Sequence, residues 1–255
     1  MSRAASAIIG LFLAPGAWAG VVFEIESVTS GAEPQPLEIA IEDGKLAVTG
    51  DADGAMVYDG KAQSMLAISH SDKTYTVIDK AAAERIAAQI NPVLEQLERV
   101  PPAQRAQIEK MMGTQLPGAK RPAVETVLVD TGRSDTVSGF ECIWWEAKQN
   151  GLTVREMCVT PQEDIPGSDD VMSVLSNMSE FYEDVFAQFS DSFDFAVSGN
   201  PFADVGDMNG LPVKTRTFRG NELESETVIL TATEAALGAK PFQPPEGYER
   251  RSIGS

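Results

Sequence analysis

The sequence holds a single histidine, His70, and only two cysteines, Cys142 and Cys158. One histidine rules out a multi-histidine metal site, and any Ser/His/acid triad would have to be built around that one residue. His70 stands between Ser69 and Ser71 at the end of a strand-like run, which reads as a surface turn. The chain lacks a nucleophile elbow of the form G-x-S-x-G, and it lacks the H-E-x-x-H, phosphate-loop and dinucleotide fingerprints. Basic residues are scarce too: 20 Lys and Arg stand against 38 Asp and Glu, for a formal net charge of −18. Affinity for nucleic acid rests on neutralising phosphates, so no nucleic-acid partner is expected, and an anionic membrane surface is disfavoured for the same reason.

Long apolar runs are also missing. The one apolar stretch, Ala4 to Leu13, is shorter than the roughly twenty residues of a membrane-spanning helix and is broken by Pro15 and Gly16. With Arg3 before it and Ala17-Trp18-Ala19 after it, the stretch reads as a cleavable secretory signal over residues 1–19. Cleavage would leave Gly20 first. The expected product is not membrane-spanning, has no nearby cysteine for lipid attachment, and is periplasmic or secreted. Residues 20–255 show no Ser/Gly-rich linker and are expected to form one β-rich domain.

Cys142 and Cys158 flank a hairpin signal, in which Phe140 to Ala147 and Leu152 to Val159 surround Gln149-Asn150-Gly151. A two-residue Asn-Gly turn would set Cys142 opposite Val159 and send the two sulfurs to opposite faces. A three-residue loop with Gly151 in the left-handed conformation sets Cys142 directly across from Cys158, and this is the register expected. Export supplies an oxidising compartment, so a Cys142–Cys158 disulfide is expected, contributing about 3 kcal/mol on the chain-entropy model. A redox pair is disfavoured because the spacing is not C-x-x-C.

Short strands follow one another from the start of the mature chain: Val21 to Val28, Leu37 to Ile41, Leu46 to Val48, Ala55 to Tyr58, Ser64 to Ser69 and Thr74 to Ile78. A turn at Asp43-Gly44 would place Ile41 opposite Leu46 and Ile39 opposite Val48, leaving Glu38, Glu42 and Lys45 for water. Such a meander tends to curl into a barrel or half-barrel. Residues 80–114 then change period: Ile86, Ile90, Leu94 and Leu97 form one helical stripe, and Ile108, Met111 and Met112 another. Pro92 should kink or restart the first helix. Strands resume at Val124 to Asp130, Thr136 to Ala147 and Leu152 to Thr160. A second helical region spans 169–195, with Ser168 as N-cap and a wide apolar face through Val171, Leu175, Met178, Tyr182, Val185, Phe186 and Phe189. A last hairpin, Pro212 to Arg219 and Glu222 to Ala232, turns at Gly220-Asn221 with glycine placed for a type II′ turn. The order predicts an α+β fold: a curved antiparallel sheet, or half-barrel, with helices covering one face.

Two acidic clusters, Asp51-Ala52-Asp53-Gly54 and Asp204 to Gly210, resemble fragments of calcium loops, but neither completes the twelve-residue ligand pattern, and turn chemistry explains both. The soft apolar helix faces are the feature that could carry function. Met111, Met112, Met178, Tyr182, Phe186 and Phe189 are therefore the candidate ligand-binding residues, with core packing as the competing reading of the same stripe.

Glu42-Asp43-Gly44-Lys45, then Tyr58-Asp59-Gly60 leading to Lys73-Thr74-Tyr75, then Gly139-Phe140-Glu141-Cys142 and a closing Pro244-Pro245-Glu246-Gly247-Tyr248 resemble an exported bacterial family of unknown function. That family is related to the outer-membrane lipoprotein carrier-like half-barrels. The resemblance implies a sheet that holds a lipid or another apolar small molecule against its helices, with no catalytic residue to carry over; no cofactor is expected. The expectation is a non-catalytic carrier-type binding protein. The alternative is a structural or protein-interaction module of the cell envelope with a fully packed core.

Overall fold

The computed structural model describes residues 20–50, 53–101, 104, 107, 125–186 and 208–252. The expected signal, Met111, Met112 and Phe189 lie outside them, as do all of 187–207 and most of 99–114. Among the described residues, twelve strands form one sheet: β1 (Gly20–Thr29), β2 (Gln35–Glu42), β3 (Lys45–Gly50), β4 (Gly54–Asp59), β5 (Ser64–Ser69), β6 (Thr74–Asp79), β7 (Thr126–Val137), β8 (Phe140–Gln149), β9 (Leu152–Pro161), β10 (Gly210–Arg219), β11 (Glu222–Ala235) and β12 (Glu249–Arg251). Their order is β12-β6-β5-β4-β3-β2-β1-β11-β10-β9-β8-β7, so the sheet does not close. Every pair is antiparallel except β12 with β6. Helix α1 (Lys80–Glu98) follows β6, and helix α2 (Ser168–Phe186) follows β9. The fold is thus α+β, a curved and open half-barrel.

The β2–β3 hairpin has the register its sequence implies: Ile41 opposes Leu46 and Ile39 opposes Val48, with Asp43 and Gly44 both at positive φ as a type I′ turn requires. Extending the register sideways yields a row Val21, Ile41, Leu46, Tyr58, Met65 and Ile78, each directly across from the next. This row packs in the main core with α2. The neighbouring row, one residue out of phase, is Val22, Ala40, Ala47, Val57, Leu66 and Val77. Successive residues of a strand point to opposite faces, so this part of the sheet is apolar on both sides.

Helices alone therefore do not cover the sheet. The outer row is covered by the segment after β11, which turns at Lys240–Phe242 and ends in β12 beside β6. Phe242 is buried there against Ala40, Ala47, Val57 and Ile68, with Leu237 and Tyr248 packed alongside. The sequence predicts no strand at 249–251, because a three-residue parallel strand behind Pro244 and Pro245 carries no periodicity.

Two further departures are local. The expected continuous strand Thr136 to Ala147 is divided at Ser138 and Gly139, which both take positive φ and join Val137 to Phe140 across a tight turn. Helix α1 runs through Pro92 as one helix rather than restarting there. Its start is fixed by the Asp79 carboxylate, which accepts the Ala82 N–H at 2.7 Å.

The cysteine hairpin turns on the two residues Asn150 and Gly151, not on three. Uncorrected, that turn would separate the sulfurs. However, Ala147 pairs with Arg155 while Lys148 pairs with Thr153, so Val154 is an extra residue on β9. The bulge slips the register by one, sets Trp144 opposite Cys158, and returns both cysteines to the same face. Cys142 and Cys158 are then joined diagonally rather than directly across, with Cα atoms 5.3 Å apart in a formed disulfide.

Candidate functional site

Helix α2 carries Val171, Val174, Leu175, Met178, Phe181 and Val185 on one stripe, and all six are buried. Burying side chains of this size contributes about 1.5–3 kcal/mol each, which drives the helix onto the concave face. Met178 is 1% exposed and belongs to the packed interior. Tyr58, fully buried on β4, donates its hydroxyl to the Asn177 carbonyl at 2.9 Å, and its ring lies 5.4 Å from that of Phe181. Burial raises the Tyr58 phenol above its usual range, so the group stays a neutral donor.

At the far end of α2 the packing opens. Met65 and Ile78 from β5 and β6, Ala83 and Ile86 from α1, and Phe181, Tyr182 and Val185 from α2 line a half-open pocket of about 210 Å³. Among the described residues of this lining, Tyr182 is the one with a polar side-chain atom. It is half-buried, and burial raises its phenol as well. Its ring meets Phe181 edge-on at 6.4 Å. The other described residues of the wall are hydrocarbon and thioether, which suit an apolar chain or ring better than a charged group.

A larger cavity, about 800 Å³, lies at the opposite end of α2 among Glu42, Asp43, Gly44, Lys61, Asp169, Asp170 and Asn177. Four carboxylates, Glu42, Asp43, Asp169 and Asp170, line it together with Lys61. Lys61 binds the Asp43 carboxylate at 2.6 Å, and this hydrogen bond lowers the Asp43 carboxyl and raises the Lys61 ammonium. Asp170 accepts the Gly44 N–H at 3.2 Å, tying the β2–β3 turn to the helix start. Gly167, just before the helix, has φ +61, and a Cβ there would strike the Val21 side chain.

Of the residues singled out from sequence, Tyr182 lines the apolar pocket and Met178 lies in the core below it. Phe186 is the last residue of α2. Met65, Ile78, Ala83 and Ile86 are not among the ligand-binding residues expected from the sequence, although Ile86 lies on the expected helical stripe. Met65 and Ile78 carried a signal all the same, since both fall on the inward row of the meander. His70 is exposed, and its Nδ1 lies 2.9 Å from the Tyr248 hydroxyl, so its ring meets the C-terminal segment rather than a serine. Asp53, from the first acidic cluster, accepts hydrogen bonds from the Ser71 N–H and hydroxyl and closes a turn. Among the described residues no helix is long and apolar enough to cross a membrane.

Fold and site together define an open half-barrel whose concave face is filled by one helix and which keeps a small apolar pocket at its edge. No family model matches the chain, and no curated protein matches it. Among solved structures the chain is similar to an uncharacterized conserved protein from Thermus thermophilus, with TM-score 0.46 and 5% identity over 91% of each chain. It is also similar to a chain of the Pseudomonas aeruginosa MucA/MucB complex, with TM-score 0.39 and 11% identity over 87% of this chain and 54% of that one. For PNGF-II the TM-score is 0.39 and the identity 10%, over 92% of this chain and 31% of that one. Likenesses of this degree say nothing of what the chain binds or does.

Proposed function

We propose that this chain is an exported, non-catalytic binding protein that takes the end of a lipid or another apolar molecule into the pocket between α1, α2 and the β5–β6 edge. The supporting observation is the lining of that pocket, with Met65, Ile78, Ala83, Ile86, Phe181 and Val185 around about 210 Å³. A cavity of about 150 Å³ lined by such side chains stays dry and takes benzene, so this one has room for the tip of an acyl chain or a single ring. The signal-like residues 1–19 and the Cys142–Cys158 bond fit an oxidising compartment outside the cytoplasm.

A second reading, an envelope interaction module with a packed interior, draws on the burial of Met178 and its neighbours on α2. Native mass spectrometry of the chain isolated from its own host, followed by organic extraction, separates the two. A bound apolar species that disappears in an Ile86→Trp variant supports the carrier reading. A bare chain that also fails to take up N-phenylnaphthylamine saturably leaves the interaction module.

A further inference from the structure

The segment from Leu237 to Arg251 lies on the outer face of β2–β6 as a ligand would. Its main aromatic anchor, Phe242, is 7% exposed and sits over Ala40 and Ala47, whose small side chains leave room for the ring. Pro241, Pro244 and Pro245 have no N–H to offer the sheet. Two of the remaining amides close turns within the segment itself, Phe242 to the Ala239 carbonyl and Tyr248 to the Pro245 carbonyl. Backbone pairing with the sheet comes only at the end, where Glu249 donates to Lys73 and Glu249–Arg251 run parallel to Thr74–Thr76. Side chains supply the other fastenings. Tyr248 meets His70 edge-on at 5.8 Å, and Arg251 reaches Asp72 at 3.4 Å between two exposed groups.

Anchors in apolar seats plus strand addition at a free edge is how extended peptides bind folded domains. The geometry points to the outer trough of β2–β6 as a peptide-binding site that the chain's own residues 237–251 occupy in cis. The partner it fits is an extended, proline-containing segment of another protein. That segment carries two aromatic side chains six residues apart, as Phe242 and Tyr248 are, followed by a short basic strand like Arg250-Arg251. Basic residues suit the approach because the chain carries a net charge of −18. Occupancy in cis holds the site closed, since a tethered segment acts at an effective concentration on the order of millimolar, which a partner has to overcome.

The test uses the full chain with its own strap weakened by Phe242→Ala and Tyr248→Ala, titrated with a fluorescent peptide of residues 236–252. Saturable binding is expected, at least about tenfold tighter than to the unchanged chain. Phe242→Ala within the peptide should weaken it at least about tenfold again. In a second experiment a protease site is inserted at Gly238 and cut after folding, and the released strap should exchange for labelled peptide. A weakened chain that is folded by circular dichroism yet binds nothing overturns the proposal. If the weakened chain does not fold, the cut chain decides: unfolding on cleavage makes the segment part of the core and overturns it too. A dimer with exchanged straps at high protein concentration would reassign the trough to a second copy.

Discussion

The Tyr58 hydroxyl and the Asn177 carbonyl, 119 residues apart in sequence, are joined at 2.9 Å, and through them the meander is fastened to α2. Tyr58→Phe keeps the ring against Phe181 but removes the donor. It should cost about 1 kcal/mol in urea unfolding, the ordinary net value of such a bond. Tyr58→Ala removes the ring as well and should cost about 3–5 kcal/mol. Equal losses in the two variants would show that the ring contributes nothing beyond its hydroxyl.

The disulfide joins two strands inside the core, with Cys142 and Cys158 both buried. Replacing both cysteines with alanine should lower unfolding stability by about 3 kcal/mol, chiefly by releasing the unfolded chain. The measurement is a pair of urea curves. An unchanged midpoint would mean that the bulged hairpin holds its register unaided.

Gly167 combines φ +61 with a Cβ position that the Val21 side chain already fills. Gly167→Ala should therefore destabilise the chain by about 1–3 kcal/mol, moving either the start of α2 or the first strand. Thermal unfolding of this variant beside Gly31→Ala tests the point. Gly31 has φ +80 but open space at its Cβ position, so it reports the backbone cost alone.

Acid should loosen the β7–β11 half. The Trp144 indole N–H, 3.0 Å from the Asp135 carboxylate, lowers that carboxyl below its ordinary value, and the Thr136 N–H adds to the effect. Burial pushes the Glu226 carboxyl up, but hydrogen bonds from Arg216 and Lys214 outweigh it and leave the group below its ordinary 4.5. A carboxylate depressed by folding stabilises above its unfolded pKa, and that contribution is lost as the pH falls through the folded value. Urea midpoints should thus fall from about pH 4.5 downward, and Trp144→Phe should flatten the Asp135 part of the slope. A midpoint constant from about pH 6 to about pH 3 would contradict this.

Much of the meander was legible because its register is set by short turns. Asp43-Gly44 fixes Ile41 against Leu46, and Gly220 with φ +63 joins Arg219 to Glu222 in the final hairpin as its sequence implies. The Cys142–Cys158 register was not legible. The bulge at Val154 answers to packing on both faces of β9, and no residue there announces it. The pocket was half legible. The stripe through Met178 and Tyr182 is plain in the periodicity, but a helical repeat of about 3.6 residues cannot tell a core contact from a cavity wall. That distinction depends on where α1 places Ala83 and Ile86. The outer cover was hidden differently, since the consecutive apolar pairs Ala40-Ile41, Leu46-Ala47 and Val57-Tyr58 are the mark of a sheet buried on both faces.

β1 lies in the middle of the sheet, with β2 on one side and β11 on the other. Along the second of these seams the hydroxyls of Ser27 and Thr227, 200 residues apart in sequence, come within 3.2 Å. This gives the molecule a timetable. A chain emerging amino end first can build the β1–β6 meander early, while one edge of β1 waits for β11, whose Thr227 lies 200 residues beyond Ser27. The segment from Leu237 to Arg251 follows β11 in the chain, so the outer trough is covered only after the residues of that seam have been made.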